Sequence, residues 1–231
     1  MSIPALSSPV KRKVLLVDDH PIVREGMALL INREPDLAVC ADAEESNSAL
    51  QAIESLRPDL AIVDISLPGR DGLELLKMIR AKDPQLPVLI LSMHGEGVYA
   101  ERALRAGANG YIMKHEATEK VLIAIRRILN REIYVSEQMA NRMLRHFAGA
   151  RGAHESNDRS PLDGLSDREL EVLRRMGEGQ STRQIAEELH LSVKTIETHQ
   201  ARVKEKLSLR SSRELVQFAI ESALTEKAKT S

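Results

Sequence analysis

The sequence predicts an α/β fold: a doubly wound, five-stranded parallel sheet followed by a small all-α domain. Two observations carry that expectation. Five short, continuous apolar runs (14–17, 37–41, 60–63, 88–91 and 110–113) alternate with segments of helical spacing. Continuous rather than alternating apolarity suits strands covered on both faces, and strands alternating with helices imply a parallel sheet. Beyond Pro161 no such run recurs, and only helical spacing remains.

Composition leaves room for both domains and removes some classes. A chain of 231 residues with 42% hydrophobic residues can fill two cores. A formal net charge of −1 excludes a surface coated in basic residues, so affinity for nucleic acid has to come from a local patch. The single cysteine, Cys40, cannot close an internal disulfide and reads as a small buried residue of the second run. No stretch approaches the roughly 20 apolar residues of a membrane span. The segment from Met1 to Val10 lacks a charged leader ahead of a long apolar core. The expectation is a cytoplasmic protein with no membrane partner.

In order, Val14 to Val17 is the first strand, and Val23, Met27, Leu30 and Ile31 mark the helix after it. Leu37 to Ala41, Leu60 to Val63, Val88 to Leu91 and Gly110 to Met113 are the remaining strands, and Leu122, Ile125 and Leu129 mark the helix that follows the last. Ile133 to Phe147 is weakly helical, and Gly149 to Pro161 fills with small and polar residues, as a flexible linker does. Helices are expected from about Ser166, Thr182, Val193 and Ser211. The divisions are 11–131, 132–161 and 162–227.

In an open parallel sheet, ligands bind beyond the carboxyl ends of the strands. Here Asp18 and Asp19 end the first run, Asp64 the third, Ser92 the fourth and Lys114 the fifth. Converging carboxylates repel one another unless a divalent cation with oxygen ligands sits among them, and Mg²⁺ is the natural candidate. A phosphoryl group placed on one carboxylate would find the metal, the Lys114 ammonium and the Ser92 hydroxyl as partners. Asp64, alone on a central strand, is the best nucleophile by position, with Asp18 and Asp19 as a metal-holding pair. Single aspartates often cap helices at strand ends, but five suitable residues over four strand ends exceed that ordinary role. His20 invites a metal-ligand reading, although its place before Pro21 suits the opening of a helix.

From Val14 to Leu129 the chain resembles the receiver domains of two-component systems, on Val17-Asp18-Asp19-His20, Val63-Asp64 with Pro68, Asp71 and Gly72, Leu91-Ser92, and Gly110-Tyr111 with Lys114. The resemblance implies that a sensor histidine kinase phosphorylates Asp64. It implies that Mg²⁺ is held by Asp19, Asp64 and the Ser66 backbone carbonyl, with Asp18 assisting through water. It also implies a switch in which Ser92 moves toward the phosphoryl group and Tyr111 swings inward. His115 stands where many receivers have proline, which leaves the loop after Lys114 open.

In the second domain, Ser166 and Glu169 form a capping box, with Leu165 and Leu170 spaced as a hydrophobic staple. Ile185, Ala186 and Leu189, a break at His190 to Ser192, then Ile196, Val203 and Leu207 suggest a helix-turn-helix with Ser192 capping its second helix. That helix and its flank carry six basic residues (Lys194, Arg202, Lys204, Lys206, Arg210, Arg213) against Glu197 and Glu205. Charge alone favours an ordinary solvated face over a DNA-binding one, and spacing leaves the matter open. From Leu162 to Leu224, on Leu165 to Leu173, Gly179 to Ala186 and Leu191 to His199, the chain is similar to the LuxR-type domain of NarL/FixJ regulators. The resemblance implies that residues 193–207 enter the major groove, with Glu197, Thr198 and Arg202 at base edges and Lys194, His199, Lys204 and Lys206 at phosphates. Thr182-Arg183-Gln184 and Glu197 depart from the commonest pattern, so base preference does not carry over.

The resulting expectation is a transcriptional response regulator, not an enzyme. Its partners would be promoter DNA and a sensor kinase, it would dimerise when phosphorylated, and RNA polymerase is a candidate at the promoter. Two other classes compete. An aspartyl-phosphate phosphatase usually places its nucleophile in Asp-x-Asp after the first strand, where Asp18-Asp19-His20 stands. A regulator acting through protein contacts alone would lack steep salt dependence of DNA binding.

Overall fold

The computed structural model describes residues 11–68, 71–93, 96–149 and 161–230. The first unit runs β1 (Arg12–Val17), α1 (Pro21–Asn32), β2 (Leu37–Ala43), α2 (Ser46–Leu56), β3 (Leu60–Asp64), α3 (Gly72–Lys82), β4 (Val88–Ser92), α4 (Glu96–Arg105), β5 (Gly110–Met113) and α5 (Ala117–Leu129). α6 (Glu137–Gly149) follows, and then α7 (Asp167–Gly177), α8 (Thr182–Glu188), α9 (Val193–Lys206) and α10 (Ser212–Thr230). The five strands form one parallel sheet in the order β2-β1-β3-β4-β5, which makes β3 the central strand.

Alternation along each strand divides the core between the faces. Val14 and Leu16 turn to one side and pack with Met27 and Ile31 of α1 and Val121, Ala124, Ile125 and Ile128 of α5. Leu15 and Val17 turn to the other, against Leu50 and Ile53 of α2, Leu73 and Leu76 of α3, and Ala100 and Ala103 of α4. Leu122 and Leu129, which mark α5 by spacing, lie at the margin of the core between the sheet, α1 and α5. The second run is longer than its apolar letters, reaching Ala43, and it is an edge strand; Cys40 is half-buried, not buried, because only one neighbouring strand covers β2. The chain after Lys114 makes a single 3-10 turn into α5, and no cis peptide occurs among the described residues.

The helical unit begins where its caps dictate. Ser166 and Glu169 close a capping box on α7, Ser181 and Gln184 close another on α8, and Ser192 accepts from the Thr195 N–H at 3.0 Å to start α9. Leu165 and Leu170 are both buried, as the staple requires. α10 crosses α7 at Gly177, where a Cβ would stand 2.3 Å from the Ala219 carbonyl oxygen. The helix starts at 167, 182, 193 and 212 agree with the expected ones to within a residue. The expected linker centres on 150–160, outside the described residues. No helix among the described residues is long and apolar enough to cross a membrane.

The two units touch through α3 and α4 on one side and the start of α7 on the other. Asp167 accepts from Lys77 Nζ at 2.7 Å and from Arg102 Nη1 at 3.0 Å, and Arg102 Nη2 donates to the Leu162 carbonyl at 2.7 Å. The apolar cluster on that face of the sheet runs on through Tyr99 and Met139 into Leu165, Leu170 and Val172.

Candidate functional site

The carboxyl end of the sheet gathers the predicted acidic residues. Asp64 ends β3 and is 1% exposed, Asp18 follows β1 at 4%, and Asp19 is half-buried beside it. Lys114 leaves β5 and reaches between them, with Nζ 2.8 Å from Asp64 Oδ2 and 2.7 Å from Asp18 Oδ2. Asp64 Oδ1 is buried and has no hydrogen-bond partner among the described residues. One oxygen of this carboxylate is thus held by the lysine, and the other is left for a ligand.

The electrostatics follow from burial. Desolvation pushes the Asp64 carboxyl up to about 6 against the pull of Lys114, and the Asp18 charge adds to the rise. Burial works against the Lys114 ammonium, but Asp64 and Asp18 outweigh it and its pKa is raised. Lys114 stays charged and the site carries excess negative charge. Asp18, Asp19, His20 and Asp64 each offer one ligand atom, all within 4.8 Å of one another. The three carboxylates of this set are hard oxygen donors and, with the orphaned Asp64 oxygen, fit Mg²⁺; the His20 nitrogen is not a donor of that kind. His20 is the N-cap position of α1, with Pro21 next, and its exposed ring lies 2.7 Å from Asp19 Oδ1 and 3.2 Å from Asp18 Oδ1.

Ser92 is fully buried at the end of β4, opposite Met113 in register, and Tyr111 is buried in β5 opposite Ile90. Ser66 is half-buried in the loop after β3, its backbone hydrogen-bonding to Asp64. Gly72 opens α3 directly against β3: a Cβ there would meet the Asp64 carbonyl oxygen at 2.0 Å. Asp71 caps the same helix by accepting from Glu74 N–H at 2.7 Å, and burial pushes its carboxyl up to about 7.

The second cluster of predicted residues lies on α9. Ile196 and Val203 anchor the helix, while Lys194, Glu197, Thr198 and Arg202 are exposed. Lys194 and Glu197 pair at 3.5 Å, and Thr198 Oγ1 donates to the Lys194 carbonyl. Lys204 and His199 are half-buried. Burial, helped by Arg168, holds the His199 ring below the usual histidine range, and Glu74 of α3 lies within electrostatic reach. Lys206, itself exposed, pairs at 2.7 Å with Oε2 of the buried Glu169, the same oxygen that accepts from the Ser166 N–H. Sequence reasoning missed this pairing and the Asp167 contact, because charged side chains on helices read as solvated.

Residues 14–126 match the response regulator receiver domain, and residues 163–219 match the bacterial regulatory proteins of the luxR family. The chain is 35% identical over 215 residues to the oxygen regulatory protein NreC of Staphylococcus aureus, covering 93% of this chain and 99% of that protein. It belongs to the NarL/FixJ response regulators. This response regulator also resembles solved structures along most of its length. RcsB of Salmonella enterica serovar Typhimurium, bound to promoter rprA in the presence of the phosphomimetic BeF3⁻, matches at TM-score 0.60 and 25% identity over 90% of this chain and 98% of that one. A LuxR-family two-component response regulator from Aurantimonas sp. matches at TM-score 0.56 and 36% identity, covering 60% of this chain and 99% of that one. The regulator therefore joins a receiver to a LuxR-type DNA-binding domain.

Proposed function

We propose that Asp64 is the phosphoacceptor of this response regulator and that its acyl phosphate controls promoter binding by α9. The observation that carries the reading is the Lys114 ammonium bridging Asp64 and Asp18 while Asp64 Oδ1 stays buried and unpartnered. In the transfer, an Asp64 oxygen bonds to phosphorus as the P–N bond of the kinase phosphohistidine breaks. Asp19, Asp64 and the Ser66 carbonyl would hold Mg²⁺, with Asp18 assisting through water, and the ion would supply neutralisation of the phosphoryl charge. Lys114 holds the accepting carboxylate, and the Ser92 hydroxyl would move toward the phosphoryl group and donate to it. The expected inward swing of Tyr111 is not needed, because the ring is already buried; the acyl phosphate would instead hold Tyr111 in that orientation while Ser92 moves.

The proposal divides the chain into a receiver (11–131), a helical extension and linker (132–161) and a DNA-binding domain (162–227). On the DNA side, Glu197, Thr198 and Arg202 meet base edges, and Lys194, His199, Lys204 and Lys206 serve phosphates. His199 and Lys206 serve them only after leaving their present surroundings. Two features support control by release. Asp167 ties α7 to α3 and α4, and the Glu74 carboxylate stands near the helix that a polyanion would approach. Phosphorylation in the cytoplasm by a sensor histidine kinase then shifts the regulator toward a homodimer with α9 free, at promoters where RNA polymerase is the candidate partner. The test is promoter affinity with and without beryllofluoride and Mg²⁺. Tightening in the wild type and none in Asp64→Ala is the expected result; equal affinities in all four measurements refute the proposal.

A further inference from the structure

Arg24 lies on α1 with its guanidinium turned under the β1–α1 loop, and the residue is only 8% exposed. A buried arginine needs partners that repay its desolvation. Two of its partners, Asp42 and Glu44, have side chains 58% and 67% exposed, and ion pairs to such groups contribute little. The third is the main-chain carbonyl of Asp18, which accepts from Nη1 at 2.6 Å. That carbonyl belongs to the peptide joining Asp18 to Asp19, so fixing its direction fixes where both carboxylates leave the chain.

The rest of Asp18 is held from other sides. Its N–H donates to the Ala43 carbonyl, its Oδ1 accepts from the His20 N–H at 2.9 Å, and its Oδ2 meets Lys114. Among the described residues Arg24 is the side chain that holds the peptide plane itself, and it brings a positive charge behind carboxylates that repel one another. We propose that Arg24 is a positioning residue for the divalent cation, acting by clamping the Asp18–Asp19 peptide. The inference rests on reading the acidic cluster as a Mg²⁺ site.

Groups that orient metal ligands typically change metal affinity by about tenfold or more when removed. Full-length Arg24→Gln is therefore expected to bind Mn²⁺, followed by the electron paramagnetic resonance of the free ion, about tenfold more weakly than the wild type. The Mg²⁺ concentration that half-saturates phosphorylation by acetyl phosphate should rise in step, while the rate at saturating Mg²⁺ stays within about twofold. Arg24→Lys, with charge but no fork, should bind Mn²⁺ with intermediate affinity. The double variant Asp42→Asn with Glu44→Gln removes the ion pairs and spares the carbonyl bond, and should bind Mn²⁺ as the wild type does.

Unchanged Mn²⁺ binding in Arg24→Gln overturns the proposal alone, as does an equal loss in the double variant. No Mn²⁺ binding by the wild type overturns the metal reading and the proposal with it. Should Arg24→Gln fail to fold, the Arg24→Lys and double-variant titrations replace it, and equal affinities in both overturn the clamp.

Discussion

Replacing Arg102 with alanine tests whether the contact between the domains restrains DNA binding. Arg102 and Asp167 are each 15% exposed, and Arg102 also holds the Leu162 carbonyl. Hydrogen bonds to charged groups at such sites contribute roughly 1.5–3 kcal/mol. Lys77 remains on Asp167 after the substitution, at 2.7 Å, so the carboxylate is not orphaned and the lower end of that range applies. A loss of about 1.4 kcal/mol shifts a closed-to-open equilibrium about tenfold. The unphosphorylated Arg102→Ala regulator should therefore bind its promoter about tenfold more tightly than the wild type, and the beryllofluoride-treated proteins should differ by less than about twofold. Fluorescence anisotropy on a labelled promoter duplex at one fixed ionic strength reads both numbers, because salt alone moves such affinities steeply. Equal affinity of the two unphosphorylated proteins, with unchanged melting temperature, would refute the reasoning.

Three further outcomes are expected. Asp71→Asn keeps the cap acceptor for Glu74 N–H but removes a carboxyl raised to about 7; ionising it costs native stability as pH rises from about 4 to about 7, by up to about 4 kcal/mol. Urea melts should show the variant gaining on the wild type across that window, and a constant difference at pH 5 and pH 8 would rule the buried charge out. Gly72→Ala drives a Cβ into the Asp64 carbonyl and should cost about 1–3 kcal/mol or more, together with slower phosphorylation, read by calorimetry and acetyl phosphate labelling. Arg202→Ala should weaken promoter binding by roughly 1–3 kcal/mol; an equal loss on random duplex DNA would make Arg202 a phosphate contact instead.

What the sequence made legible was whatever depends on local order. Asp18, Asp64, Ser92 and Lys114 could be placed together because each sits at a strand end, and parallel topology alone brings strand ends into one row. The helix starts were legible because Ser166 and Ser192 are caps with a side-chain oxygen at the right offset. Arg24, Arg102 and Lys77 were not, because a cation on an amphipathic helix looks the same whether it meets water or a carbonyl from another segment. Cys40 was misjudged for a related reason: an apolar run does not reveal whether its strand has one neighbour or two.

The Glu169 carboxylate has a quantitative consequence for duplex binding. Each lysine that neutralises a DNA phosphate releases condensed counterions and steepens the salt dependence by about 0.9 per contact. A lysine that must first leave a protein carboxylate exposes an anion that attracts a counterion of its own. Lys206, seated on Glu169 at 2.7 Å, therefore adds little to the slope even if it ends at a phosphate. The end of α9 acts as an internally compensated zwitterion, and the salt sensitivity of the regulator should fall short of the number of basic residues on that helix.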